Sequence, residues 1–160
     1  MITLAHLLVT ASLVAAAVSD LARRRIPNTV SLVIVGAFVV TAVLELSLVR
    51  VEWDLAVAVT VFAGGAALFW CNWLGGGDVK LLAASTLWIG AVDTPRFLIL
   101  VGLLGGVLAL AVLVLRLAAR WSDGIASLRR RIDSEEGLPY GVAIAAACLV
   151  VRPAFVATGV

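Results

Sequence analysis

The sequence has few of the charged side chains that a soluble protein carries on its surface. Only 14% of its 160 residues are charged, whereas 63% are hydrophobic. A soluble domain is nearer half apolar, with about a quarter of its residues charged. Together with a mean hydropathy of +1.15, this composition predicts an integral membrane protein with no separate soluble domain.

Histidine and cysteine are too scarce for the usual metal centres and crosslinks. Cys71 and Cys148 stand singly within apolar runs, without the spacing of a zinc site or a disulfide framework. We therefore expect both to be small buried residues. His6 is the only histidine. It lies about 21 Å along one helix from Asp20, an acid that follows the first apolar segment and is a candidate for chemistry. A Ser-His hydrolase and a histidine-ligated metal are thus excluded near Asp20, and neither a metal nor an organic cofactor is expected.

Basic residues are missing from the start of the chain. Met1 to Ser19 contains no Lys or Arg, and Arg23, Arg24 and Arg25 follow it. A secretory signal peptide carries its positive charge before the apolar core. The reversed order predicts a retained first helix with its N-terminus outside and the arginines inside.

Apolar segments fill most of the chain, and they are long enough to predict six membrane helices. A span needs roughly 20 residues, and only the fourth segment is clearly shorter, at about 15 residues or 22 Å. A helix this short would begin below the membrane surface. The predicted fold is all-α, a single polytopic membrane domain over residues 1–160 with six transmembrane helices and both termini outside. The segments cover residues 1–19, 29–49, 54–74, 79–93, 96–116 and 139–158.

The basic residues support this topology. Nine lie on the side assigned to the cytoplasm and three on the outer side, which is a positive-inside bias. The topology therefore places Asp20 and Asp78 at the same, cytoplasmic, face. The inner residues are Arg23, Arg24, Arg25, Lys80, Arg116, Arg120, Arg129, Arg130 and Arg131, and the outer ones are Arg50, Arg96 and Arg152.

One long loop interrupts the apolar segments, at residues 117–138. Its apolar residues recur at spacings of three and four, with arginines between them, which predicts an amphipathic segment on the inner membrane surface. Anchoring to anionic lipid is one role for it, and binding an anionic part of a substrate is another. The apolar residues are Leu117, Trp121, Ile125, Leu128 and Ile132.

The run Gly75-Gly76-Gly77-Asp78-Val79-Lys80 places an acid and a base after three glycines. It lacks the spacing of a P-loop. Acids at a membrane are costly and require a partner or a function. Because Asp20 is predicted at the same face, the two aspartates suggest a carboxylate pair in which one member keeps its proton. A second interpretation makes the glycines a tight turn and Asp78 a helix cap.

The sequence also suggests roles within this pair. Asp78 stands at a helix N-terminus, where the dipole favours negative charge, and Asp20 stands at a helix C-terminus, where the dipole opposes it. Asp78 is then the more ionised member and Asp20 the usual proton carrier, although Arg23 to Arg25 leave the reverse assignment open. An unwound Gly75–Gly77 segment, free to adopt positive φ, would offer its backbone to an extended peptide.

Three motifs, listed at the end of this paragraph in their order along the chain, resemble those of the type IV prepilin peptidases. These are membrane aspartic peptidases of the GxGD type. The resemblance covers nearly the whole chain. Trp88-Ile89-Gly90 and the Pro-Tyr-Gly motif suggest the short branch that serves tight-adherence (Flp-type) pili. The three motifs are Asp20 followed by Ile26-Pro27-Asn28, the run from Gly75 to Ala84, and Leu138-Pro139-Tyr140-Gly141.

The resemblance implies an endopeptidase of the inner (plasma) membrane that removes prepilin leaders at the cytoplasmic face. Asp20 and Asp78 would be its catalytic pair. The expected partners are the prepilin and membrane lipid, without nucleic acid. The residues expected to support the pair or bind substrate are Gly75, Gly76, Gly77, Lys80, Pro139, Tyr140 and Gly141.

The chain departs from the longer, bifunctional members of that family. Its first inner loop is short and contains no cysteine tetrad, and it has no glycine-rich nucleotide fold, so N-methyl transfer is not expected. Two other functions remain open from the residues alone. One is a proton- or ion-coupled transporter that uses Asp20 and Asp78, and the other is a non-catalytic scaffold for pilus assembly.

Overall fold

The structure is a computed structural model that describes residues 2–45, 48–118, 138 and 140–157. Across these ranges the chain forms six α-helices and no strand, which confirms the predicted all-α class and the number of helices. The side of the membrane on which the termini lie remains a prediction. The helices are α1 (Ile2–Arg23), α2 (Asn28–Glu45), α3 (Leu48–Trp70), α4 (Gly76–Ile89), α5 (Thr94–Ala118) and α6 (Tyr140–Ala157).

The short fourth helix was predicted, but the apolar parts of two other helices are also shorter than the sequence suggested. Three are long and apolar enough to cross a membrane, over Leu4–Arg23, Val51–Trp70 and Thr94–Ala118. The apolar parts of α2 and α6 are shorter, and α4 has only 14 residues, or about 21 Å. Most of the predicted amphipathic segment, residues 119–137, lies outside the described residues.

The short helix α4 occupies the interior of the bundle. It packs against α2, α3 and α6, and α1 joins α2 to α6, so that α1, α2, α4 and α6 form a closed ring. α3 packs on α4 and α5 packs on α6. Eight of the 14 residues of α4 are buried, which fits a helix that has apolar residues on all sides.

Two helices end in left-handed residues that turn the chain toward the next helix. After α3, Asn72 has a φ of 58°, and the Trp73 N–H donates to the Leu68 carbonyl at 2.9 Å. This is a Schellman ending, in which asparagine is a common residue. After α1, Arg24 has a φ of 52°, and its N–H donates to the Asp20 carbonyl at 2.9 Å.

The positions of the two cysteines and of His6 can be compared with the predictions, which were that both cysteines are buried and that His6 lies far from Asp20. Cys148 is buried as predicted, but Cys71 is exposed. The prediction for Cys71 was wrong because this residue lies in the turn after α3 rather than inside a helix. The His6 ring packs edge-on against Trp88, with 5.6 Å between ring centroids. Because Trp88 lies near the end of α4 opposite Asp78, His6 is remote from both aspartates.

Gly90, which follows α4, has backbone angles that residues with a side chain rarely adopt. Its φ and ψ are 84° and 163°, a region essentially restricted to glycine. We expect Gly90→Ala to lower the free energy of unfolding by about 1–3 kcal/mol, measured by denaturation in detergent. Gly64→Ala is the matched control, because a methyl group there meets no atom within 4 Å. An equal loss in Gly64→Ala would mean that the backbone angle is not the cause.

Candidate active site

Asp20 lies in the last turn of α1 and its carboxylate contacts the start of α6. The side chain is 5% exposed, and the Gly141 N–H donates to its Oδ2 at 2.8 Å. The Val142 N–H also donates to this carboxylate. Backbone amides at a helix N-terminus are a good site for negative charge. The start of α6 therefore offsets part of the cost of burying Asp20.

The contact between Asp20 and α6 requires glycine at position 141. A methyl group added to Gly141 would lie 2.8 Å from Asp20 Oδ2 and 2.7 Å from Ile26 Cδ1. Carbon does not approach another heavy atom this closely without a shift. The last of the three motifs in the sequence thus has a direct steric reason for its glycine.

Asp78 lies in the first turn of α4. Its carboxylate folds back toward Gly75, whose backbone N–H donates to it, and it lies within electrostatic reach of Asp20. Its Oδ1 is buried and has no hydrogen-bond partner among the described residues. The structure thus brings the two predicted catalytic residues to one end of the bundle.

Ile26 connects the surroundings of the two aspartates. Its side chain packs on Gly141 at one end, and its Cβ would lie 3.1 Å from a methyl group added to Gly77. Ile26 therefore holds the start of α4 against the start of α6. The turn that carries it is fixed by the Ser19 hydroxyl, which donates to the Arg25 carbonyl at 2.8 Å.

The three glycines before Asp78 differ from the unwound segment that the sequence predicted. Gly75 caps α4 with a φ of −73°, and Gly76 and Gly77 already belong to the helix. The only positive-φ glycine among the described residues is Gly90. Asp78 lies three residues after the cap and is not the cap itself. The predictions of an unwound triglycine and of an Asp78 cap were therefore wrong.

Close packing explains these glycines better than backbone freedom does. A methyl group at Gly75 would lie 2.7 Å from Asp78 Oδ2, and one at Gly76 would lie 3.3 Å from the Phe69 ring. Gly77 faces Ile26 in the same way. Each glycine therefore leaves space that a neighbouring side chain occupies, and at Gly75 that side chain is the Asp78 carboxylate.

The other predicted supporting residues have partners of their own. Lys80 is exposed, and its Nζ donates to Asn28 Oδ1 at 3.0 Å, which joins α4 to the start of α2. The Tyr140 ring packs on α5, where a methyl group at Gly105 would lie 2.7 Å from its Cε1. Pro139 lies outside the described residues.

Sequence reasoning missed the parts played by Ile26, Arg24 and Val142. Ile26 was noted only as part of a motif, and nothing in the sequence places it between two glycines that are far apart in the chain. Arg24 was considered only together with Arg23 and Arg25, as a cytoplasmic charge and as one of three that could change the protonation of the pair. It is half-buried whereas Arg23 and Arg25 are exposed, and its charge acts on Asp20.

The hydrogen bonds also bear on the roles within the pair. Two amide N–H groups of α6 donate to Asp20, and hydrogen bonds to a carboxylate favour its charged form. The Asp78 carboxylate accepts from one backbone N–H, that of Gly75, and its Oδ1 has no hydrogen-bond partner among the described residues. These contacts support the reverse of the assignment drawn from the helix dipoles, with Asp20 ionised and Asp78 carrying the proton.

No three His, Cys, Asp or Glu side chains gather into a metal-binding group within the described part of the chain. Among the described residues, the polar groups nearest the two carboxyls include the backbone amides of Gly75, Gly141 and Val142. A proton acceptor and a proton donor side by side can activate water and protonate a carbonyl oxygen. Such a pair of carboxyls is the kind of site that suits hydrolysis of an amide bond.

Comparison with known proteins agrees with this chemistry. The sequence model of the type IV leader peptidase family matches residues 7–110, which is more than half of the chain. The match contains both Asp20 and Asp78 and ends within α5, before the α6 residues that contact Asp20. Comparisons with curated proteins and with solved structures gave no significant match.

Proposed function

The chain belongs to the type IV leader peptidase family, and on this premise we propose that it is an aspartic endopeptidase that removes the leader of type IV or Flp prepilins. It acts at the cytoplasmic face of the plasma membrane. The observation that supports the proposal is that Asp20 of α1, which contacts the N-terminal amides of α6, lies within electrostatic reach of Asp78 of α4. Membrane helices rarely contain acids without a function.

The proposed reaction begins with a water molecule between the two carboxyls and the scissile carbonyl. Asp20, as general base, takes a proton from the water, whose oxygen bonds to the carbonyl carbon. Asp78 gives its proton to the carbonyl oxygen, which forms a tetrahedral diol. Asp20 then gives its proton to the amide nitrogen as the C–N bond breaks, and Asp78 recovers a proton from a diol hydroxyl. Both aspartates return to their starting states.

The position of the site fits a substrate that is itself a membrane helix. Asp20 and Asp78 lie at helix ends, and α4 is too short to cross a membrane. A prepilin whose hydrophobic helix lies in the bilayer would present the peptide just before that helix at this depth. We propose peptide cleavage alone, without methylation of the new N-terminus, because the chain lacks the cysteine-containing insertion of the bifunctional members.

Cleavage of a defined substrate tests the proposal. The purified protein, in detergent or liposomes, is incubated with an Flp-type prepilin and with a longer type IV prepilin, and the products are identified by mass spectrometry. We expect one cut that separates the leader from the hydrophobic helix, and no mass increase from methylation when S-adenosylmethionine is added. Intact prepilin of both kinds, together with proton flux across the liposome membrane, would contradict the proposal and favour a transporter.

A further inference from the structure

Two pairs of adjacent glycines lie in the outer helices, and one member of each pair packs against another helix. In α3, Gly65 is buried and Gly64 is exposed, and in α5, Gly105 is buried and Gly106 is exposed. A methyl group added to Gly64 or Gly106 would meet no described atom within 4 Å. The two buried glycines therefore make contacts that their neighbours in the sequence do not.

Gly65 lies against the side chain of Val79 in α4. A methyl group added to Gly65 would lie 2.9 Å from Val79 Cγ1, whereas ordinary van der Waals contact begins at 3.4 Å. Val79 is buried, and its branched Cβ leaves it few rotamers, so the strain is relieved mainly by a shift of the helix. Because Val79 directly follows Asp78 in the first turn of α4, this shift would displace the Asp78 carboxylate.

Gly105 lies against the ring of Tyr140, the first residue of α6. A methyl group added to Gly105 would lie 2.7 Å from Tyr140 Cε1 and 3.2 Å from its Cδ1. The ring is rigid, so these two atoms can only move together. The next residue, Gly141, donates its N–H to Asp20 Oδ2 at 2.8 Å. A larger residue at position 105 would therefore move the donor of this hydrogen bond.

We propose that Gly65 and Gly105 are positioning residues of the active site, through which the outer helices hold the two aspartates in place. This inference rests on the proposed peptidase function. α3 packs on α4, which carries Asp78, and α5 packs on α6, which contacts Asp20. Each outer helix thus acts on one aspartate through one glycine, although neither α3 nor α5 carries a member of the pair.

Alanine substitutions at the four glycines test the inference, with a control in each helix. Gly65→Ala and Gly105→Ala should each lower kcat for prepilin cleavage about tenfold with KM unchanged, because a displacement of a catalytic group by about 1 Å costs about 10²-fold and these contacts require less. Gly64→Ala and Gly106→Ala should cleave like the wild type. Alanine favours a helix similarly at adjacent interior positions, so helix propensity does not separate variant from control.

A change in Val79 shows whether the contact itself is responsible. Val79→Ala removes Cγ1 and Cγ2, the atoms nearest to the methyl group of Gly65→Ala, so Gly65→Ala should cause no further loss of kcat in a Val79→Ala protein. A tenfold loss that persists there would overturn the role of Gly65. Wild-type rates in both Gly65→Ala and Gly105→Ala, or equal losses in the two control variants, would overturn the whole inference.

A spectroscopic measurement tests the positioning without cleavage. The carboxyl ¹³C resonances of Asp20 and Asp78 are assigned by their loss in Asp20→Asn and Asp78→Asn. The Asp78 resonance should move in Gly65→Ala and the Asp20 resonance in Gly105→Ala, and both should keep their wild-type positions in the control variants. This readout needs no prepilin, so it tests the inference even if the protein cleaves none. Unmoved resonances, with a lower unfolding temperature in detergent, would show that the two glycines serve packing alone and would overturn it.

Discussion

Asparagine in place of either Asp20 or Asp78 is expected to abolish prepilin cleavage, with a fall in rate of at least about 10³-fold. Asparagine keeps the size of the side chain, but its amide cannot serve as a general acid or a general base. In Asp20→Asn the Gly141 N–H can still donate to the oxygen of the new side-chain amide, so α6 keeps its contact. Rates are measured from the appearance of the mature pilin on a gel, with purified variants at equal concentration.

The losses in cleavage rate caused by the two substitutions should not be additive. Groups that act as a unit lose nearly all their effect when one is removed, so the double variant should be no slower than either single variant. Additive losses would mean that the aspartates act in separate steps or at separate sites. This comparison tests the pair itself, which the single variants do not.

Asp54→Asn is the matched control for these variants. Asp54 lies in α3 toward the other end of the bundle, and its Oδ1 accepts a hydrogen bond from the Ala91 N–H at 2.8 Å. An asparagine there retains this acceptor, so both stability and cleavage should be unchanged. If Asp78→Asn cleaves as fast as Asp54→Asn, the two-carboxylate mechanism is wrong.

Much of this arrangement follows from local sequence because a few strong signals determine it. The apolar segments predict six helices, and the arginines and Lys80 predict which ends share a face, so Asp20 and Asp78 are placed together without any knowledge of packing. The short fourth segment predicts the short helix that carries Asp78. These signals depend on composition and on spacing along the chain, which the sequence contains in full.

Contacts between distant segments could not be predicted in the same way. The prediction that Asp78 is the charged member used only the dipole of the helix that carries each aspartate, α1 for Asp20 and α4 for Asp78. Asp20 also contacts the amides of Gly141 and Val142 in α6, and no pattern near Asp20 indicates that α6 is its neighbour. The prediction for the triglycine was wrong for a related reason, since Phe69 and Ile26 fill the space beside it.

Gly141→Ala is expected to lower kcat for prepilin cleavage by about 10²-fold, because a displacement of a catalytic group by about 1 Å has an effect of this size. The new methyl group would lie 2.8 Å from Asp20 Oδ2, so the carboxylate or the start of α6 must move. The hydrogen bond from the backbone N–H of residue 141 is then lengthened or lost. Cleavage rates at saturating prepilin, with thermal unfolding in detergent, measure the effect on the site and on the fold separately.

Two further variants show which contact of the added methyl group matters. Gly106→Ala places a methyl group in α5, where no atom lies within 4 Å, and should leave cleavage unchanged. Ile26→Val removes Cδ1, the atom that would lie 2.7 Å from the methyl group added by Gly141→Ala, but leaves the contact with Asp20. Combined with Gly141→Ala, it should therefore recover stability without recovering kcat. Full recovery of kcat in that double variant would show that Gly141 serves packing on Ile26 and not the geometry of Asp20.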